Sequence, residues 1–199
     1  MESPQDSYFI LMLALASYGS AIWGGLFFFK TDDPGAKQGR RLIGFCSITA
    51  TVVALASIST AVPRPPLASS LAAGLYLVSL ALFWLSIAEH RKAPLAFAFS
   101  SEKPDHFVIS GTHKLIRHPF YTSYLLGWAA PVIYAESFAA AICFSIMLII
   151  YWRSATLEES FFQLSAFSEE YAIYKRSTGM FFPRLLKKPG PIVGKIFKI

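Results

Sequence analysis

The sequence predicts an all-α integral membrane protein, with five transmembrane helices followed by a cytosolic amphipathic C-terminal helix. Three observations lead there. The 199 residues are 54% hydrophobic and only 15% charged, where a soluble domain averages about 25% charged; the mean hydropathy is +0.48. Apolar runs free of charge recur at lengths that suit a hydrocarbon core, which needs about 20 residues per helix. The basic residues gather in alternate links between those runs. The length fits a single domain, residues 1–199.

Residues 7–29 form the first run. Glu2 and Asp6 precede it, whereas a secretory signal has a basic start and a shorter apolar core, so a retained span is expected. Gly24 and Gly25 either permit close packing there or are incidental. Residues 30–41 read as a polar turn containing Asp32-Asp33-Pro34-Gly35. The second span is 42–62, Pro63-Arg64-Pro65-Pro66 is a short rigid connection, and the third span is 67–88. Glu89-His90-Arg91-Lys92 reads as a solvated boundary. Within the long connection that follows, residues 95–99 suit the membrane interface and 105–111 a short extended segment ending in a turn. Residues 120–135, with Pro131 inside, and 138–152 are the last two spans. Glu136-Ser137 links them tightly enough for an antiparallel pair.

Beyond Arg153, the residues Leu157, Phe161, Leu164, Phe167, Tyr171 and Tyr174 recur at spacings of three and four. That spacing predicts one apolar face on a helix over about 154–177, continuing from the last span along the membrane surface. Thr178-Gly179 ends it. The basic tail after Phe181 suits anionic lipid.

The links carry four, one, five and no Lys or Arg in turn, and the C-terminal region carries eight. The alternation predicts an outside N-terminus and a cytoplasmic C-terminus, in the inner membrane if the source is a bacterium. Charge segregated in this way argues for membrane lipids, and against nucleic acid, as partners. Cys46 and Cys143 each lie within an apolar run and build no disulfide or zinc framework.

Two polar clusters stand out. The first is the stretch from Gly111 to Tyr124, where Arg117 and His118 sit at the boundary between water and hydrocarbon. Ionisable groups there are costly unless paired or functional. Pro119 suits a first helical turn and biases His118 away from helical angles. His118 and Tyr121 then flank an open helix N-terminus, which offers amides to an anion. The second cluster is Glu158-Glu159, directly after the last span. On an unbroken helix Arg153 lies about 140° from Glu158 and about 120° from Glu159, so neither is its simple partner. The acids need partners elsewhere, and the His118 region is the candidate.

Taken together, Ser110-Gly111, Arg117-His118-Pro119-Phe120-Tyr121, Glu158-Glu159, Phe162, Phe167, Tyr171, Tyr174, Thr178-Gly179 and Pro183 resemble the pattern of the isoprenylcysteine carboxyl methyltransferases. Related membrane methyltransferases of phospholipids and small thiols share that pattern. The likeness covers roughly the C-terminal half. It implies S-adenosylmethionine as cofactor, with His118, Pro119, Phe120, Tyr121 and Glu159 contacting it, together with Asp105, His106, Phe107, Val108 and His113. A carboxylate, aromatic faces and helix-end amides suit a cationic sulfonium bearing a carboxylate and an amine. The family's carboxylate-binding Arg falls here at Ala155, so Arg153, the sole charged residue between Glu136 and Glu158, is the candidate to meet the acceptor. Met180 and His113 also depart from the family's residues. These departures count against a prenylcysteine carboxylate and leave a lipid-like or hydrophobic acceptor with a carboxylate, thiol or amine. Two alternatives stand beside this reading: a non-catalytic membrane protein with a degenerate pocket, and the NADPH-using membrane sterol reductases, which have a similar C-terminal half but whose motif continues with Gly and Asp, where this chain has Thr122 and Ser123. No G-x-G-x-x-G fingerprint follows a strand, which excludes a Rossmann-type methyltransferase. No metal site is expected.

Overall fold

The computed structural model describes residues 4–29, 34–62, 65–90, 98–99 and 109–184. Among these the chain is helical and without strands. Helix α1 (Pro4–Trp23) runs into a π-turn (Gly24–Phe28); α2 (Pro34–Ser59) and α3 (Pro66–Glu89) follow. A short 3₁₀ turn (Gly111–Lys114) precedes α4 (Pro119–Ala135), α5 (Phe138–Gln163) and α6 (Ser168–Ser177). Four helical stretches are long and apolar enough to cross a membrane: Ser7–Phe28, Pro34–Ser59, Pro66–Glu89 and Phe138–Gln163. Their outer faces carry exposed Phe27, Phe45, Leu77 and Ile149, as lipid contact requires. Helix α4 has 17 residues and so extends about 26 Å.

Two boundaries differ from the sequence expectation. The polar stretch at 30–41 is helical from Pro34 onward, because Pro34 suits a first turn and the small Ala36 and Gly39 form a buried stripe beneath exposed Lys37, Gln38 and Arg41. Helix α5 continues past the span without a break, as expected, but only to Gln163. The helix expected over 154–177 is in fact broken at Leu164–Phe167. There Ser165 Oγ donates to Phe162 O at 2.8 Å and accepts from Phe167 N at 3.1 Å. A hydroxyl that bonds its own backbone in this way competes with helix continuation. The expected apolar stripe therefore splits. Tyr171 and Tyr174 are buried, while Leu164 at the break is 76% exposed. Helix α6 restarts with Glu169 and Glu170 in its first turn and Lys175 and Arg176 in its last, complementing its dipole. Its Tyr171 ring stacks on Phe162 of α5 at 4.7 Å.

Helix α4 is the hub. It touches α1, α2, α3 and α5, and most of its residues are buried. Its link to α5 turns at Glu136 in the left-handed region, φ 49°, and Ser137 caps α5 by accepting from Ala140 N at 3.3 Å. Pro131 has no amide hydrogen to offer the carbonyl four residues back, that of Gly127. Tyr18 of α1 takes over. Its hydroxyl donates to Gly127 O at 3.2 Å, its ring stacks on Trp128 at 4.6 Å, and its oxygen lies 3.2 Å from that of Tyr76 on α3. Glycine eases the close approach here, since a Cβ at Gly127 would lie 3.0 Å from Ser17 Oγ, which would have to give way. Gly24 does the same for the π-turn, where a Cβ would lie 2.9 Å from the Phe83 ring.

Tyr18→Phe removes the donor that replaces the missing Pro131 amide. It is expected to lower stability by about 1–3 kcal/mol, the cost of an unsatisfied buried acceptor. In a Pro131→Ala background the new amide can reclaim the Gly127 carbonyl, and the cost of Tyr18→Phe should shrink. Unfolding of the parent and the three variants in detergent micelles checks this; equal costs in both backgrounds would show that Tyr18 does not serve that carbonyl.

Candidate functional site

At one end of the bundle the stretch from Ser110 to His118 is held by the chain just after α6. Ile116 and Gly179 form a parallel bridge, Arg117 N donates to Gly179 O at 2.8 Å, and His118 N donates to Met180 O at 3.1 Å. Thr122 Oγ1 donates to Phe181 O at 3.2 Å. Gly179 has to be glycine because a Cβ would run into Phe182 O. The Thr178-Gly179 pair thus does more than end a helix. It stitches the C-terminal segment onto the Arg117-His118-Pro119 entry to α4. His118 has the non-helical angles that Pro119 imposes, φ −122° and ψ 69°, with the proline in the first turn.

This stitching turns Arg117 inward. Its Nε donates to Glu159 Oε1 at 2.8 Å. Nη1 donates to the carbonyl oxygens of Thr178 and, at 3.3 Å, Lys175. Glu159 is 2% exposed. Its Oε1 also lies 3.3 Å from His118 Nε2, and its Oε2 lies 2.7 Å from Lys175 Nζ. Lys175 is thus the cation that meets Oε2, while Arg117 and His118 meet Oε1. Glu158 accepts from the Tyr121 hydroxyl and from Ser154 Oγ at 3.2 Å, and its Oε2 lies 3.6 Å from His118 Nδ1. His118 therefore faces both acids, one with each ring nitrogen. Beneath them the rings of His118, Tyr121 and Tyr151 stack in series at 5.6 and 5.2 Å.

Of the residues that the sequence singles out, His118, Pro119, Phe120, Tyr121 and Glu159 meet at this end. Phe120 is buried on the far side of the entry, against Phe29 and Phe83. Arg153 is exposed on α5, while Ser154, Ala155 and Glu159 face inward. Asp105, His106, Phe107 and Val108 lie outside the described residues. His113 is buried but turns toward α3, where its Nδ1 is 3.4 Å from Glu89 Oε2. Burial first, and then neighbouring His90, lower its pKa to about 4 despite the opposing pull of Glu89. The contact with Glu89 is thus a hydrogen bond from a neutral ring. Glu89 and His90 are not the solvated boundary that their charge suggests. Glu89 accepts from Thr112 N at 2.7 Å and from Thr112 Oγ1 at 2.8 Å, and His90 is 2% exposed. Gly111, at φ 51°, makes room for that carboxylate, which any Cβ would strike.

Sequence reasoning missed Arg117 as a site residue, and missed Lys175, Ser154 and Tyr151. For Arg117 a signal existed: a cation at a membrane boundary needs an acid, and Glu158-Glu159 needed a partner. Nothing in the spacing marks Lys175, whose position depends on the break at Leu164.

No protein-family model matches the chain. Two curated proteins are similar to part of it. One is the cobalt-zinc-cadmium resistance protein CzcN of Cupriavidus metallidurans, 33% identical over 109 residues, which are 55% of this chain and 50% of that one. The other is the methanethiol S-methyltransferase of Pseudomonas deceptionensis, 32% identical over 79 residues, 39% of this chain and 29% of that one. The chain thus spans half the length of the first relative and under a third of the second.

Arg117→Ala leaves Glu159 buried with His118 and Lys175 still beside it. The expected loss of stability therefore lies toward the lower end of the about 3–5 kcal/mol that breaking a buried pair costs. Arg117→Lys should restore only part, since Lys lacks the fork that reaches Glu159 and Thr178 O together. Unfolding in detergent micelles reads both; an alanine variant as stable as the parent would show that the pair does not hold this end of the bundle.

Proposed function

We propose that this chain is a membrane methyltransferase that uses S-adenosylmethionine on a lipid-like or hydrophobic acceptor. The observation that carries this reading is Glu159, a buried carboxylate whose Oε2 faces the partly exposed Lys175 ammonium, beside an aromatic stack and a helix N-terminus. An ammonium suits that oxygen, and the amides of the first turn of α4 suit a carboxylate. The His118, Tyr121 and Tyr151 faces suit a sulfonium or an adenine. The methyltransferase named among the relatives supports the same reading. When bound, S-adenosylmethionine supplies a methyl group on a cationic sulfur. The protein's part is positioning, which can supply much of the acceleration of an in-line displacement. Tyr121 is held by Glu158, Ser154 and the stack, so the wall nearest α5 is preorganised. Lys175 is the exchangeable one of Glu159's partners, since its side chain is 38% exposed while that of Arg117 is 5%. Arg153, outward on α5, is assigned to the acceptor, which arrives from the lipid side.

Titration of the full chain in micelles with S-adenosylmethionine tests these roles. Glu159→Gln should weaken binding by roughly ten- to a hundred-fold. Glu158→Gln should cost much less, and Arg153→Ala should leave affinity within a few-fold while impairing methyl transfer to extracted membrane lipid. Lys175→Met, which removes the competing cation, should tighten binding. Equal affinities for the two Gln variants would sink the assignment of Glu159, and tight NADPH binding in place of S-adenosylmethionine would replace the reaction class.

We also propose that α4 is the fifth crossing, which sets the N-terminus outside and the carboxylate pair at the cytoplasmic face. The basic content of alternate links supports this. With Cys46 and Cys143 changed to Ser, a cysteine placed at Lys103 should react with an impermeant thiol reagent only from the cytoplasmic side. Reaction from outside would overturn that orientation.

A further inference from the structure

We propose that Glu89, His90 and His113 bind one divalent transition-metal cation of the zinc class. The three residues each offer one ligand atom, and these atoms lie within 4.8 Å of one another. His90 supplies the decisive observation. Its Nδ1 lies 3.0 Å from Ser86 O. A carbonyl oxygen only accepts, so Nδ1 carries the hydrogen and Nε2 is the atom left over. That Nε2 is buried and has no hydrogen-bond partner among the described residues. A buried polar atom left in this way is uncommon, and a missing ion is one of its ordinary explanations. The Ser86 carbonyl also does what an outer partner does for a metal-binding imidazole: it selects the tautomer and sets the ring.

The other two ligands are arranged to match. The His113 ring stands 4.9 Å from the His90 ring, and its Nδ1 is 3.4 Å from Glu89 Oε2. Two ligands at about 2.1 Å from a tetrahedral zinc ion lie about 3.4 Å apart. Glu89 is steadied by Thr112 N and Thr112 Oγ1, and Thr112 Oγ1 lies 3.1 Å from Ser86 Oγ. Nitrogen donors favour zinc, cobalt, nickel or copper over magnesium or calcium, which prefer oxygen. Binding through His113 Nδ1 requires the tautomer with the ring hydrogen on Nε2, so a neutral ring takes up the metal without net loss of a proton. The carboxylate and two neutral imidazoles leave one net positive charge and an open coordination position. The proposal is independent of methyl transfer: Glu89 and His90 belong to neither acid of the other cluster, and His113 is the single residue that the family resemblance also claims.

The test is equilibrium dialysis of the full chain in micelles against Zn²⁺, with Co²⁺ as an optical probe. One Zn²⁺ per chain is expected. His90→Ala and Glu89→Gln should each weaken binding at least about tenfold, and His118→Ala should leave it unchanged. If His90→Ala fails to fold, the parent protein still decides. Its Co²⁺ complex should show the intense visible absorption of a four-coordinate ion, and Zn²⁺ but not Mg²⁺ should raise its Tm. Binding of Zn²⁺ that survives His90→Ala, or a parent chain with neither Co²⁺ absorption nor a Zn²⁺-dependent shift, would overturn the proposal.

Discussion

The buried pair between Arg117 and Glu159 is the contact on which this end of the molecule depends. Taking both ions out of water costs several kcal/mol each, and attraction alone does not reliably offset that. The surroundings offset it here. Arg117 spends its guanidinium on Glu159, Thr178 O and Lys175 O, and Glu159 adds His118 and Lys175. One pair thereby joins the entry to α4, the end of α5 and the C-terminus of α6. These segments are far apart in the chain, and within the described residues no strand-to-strand ladder larger than the single Ile116–Gly179 bridge ties them. The pair is a device for register more than for net stability.

Two chemically distinct faces follow from that register. Facing α5, His118 and Tyr121 meet Glu158 and Glu159 over a stack of aromatic rings. Facing α3, Thr112 and His113 meet Glu89 and His90. The same short stretch, Gly111 to His118, with Tyr121 in the turn that follows, supplies both. Its geometry is constrained at each end: Gly111 takes a positive φ beneath the Glu89 carboxylate, and Pro119 forces His118 out of helical angles. Helix α4 then carries the stretch into the core, where Tyr18, Trp128 and the glycine at 127 let it pack closely against α1 and α3.

Much of the fold was legible in the sequence because apolar runs and their boundaries follow directly from the hydrocarbon length. The starts of α3, α4 and α5 fall within a residue of the expected ones. The break at Leu164 was not legible, because 3.6-residue periodicity continues through it and the cause is one serine hydroxyl turning to its own backbone. Nor was the helical start of α2, since Lys37, Gln38, Arg40 and Arg41 read as loop while the stripe formed by Ala36 and Gly39 is too small to register. At the site, the need of Glu158-Glu159 for partners pointed correctly to the His118 region. Charge misled at Glu89-His90, where a run of four ionisable residues looks solvated but its first two are folded inward by Thr112 and Ser86. Burial of that kind is a tertiary property, invisible to local composition.

On the function proposed above, a cofactor sits where the carboxylate pair meets the entry to α4. Ultraviolet cross-linking of methyl-labelled S-adenosylmethionine to the full chain in membranes, followed by peptide mapping, tests it most directly. The label is expected within residues 117–124 or 151–163, and excess unlabelled cofactor should remove it. Competable label confined to other segments, or no competable label at all, would contradict the claim.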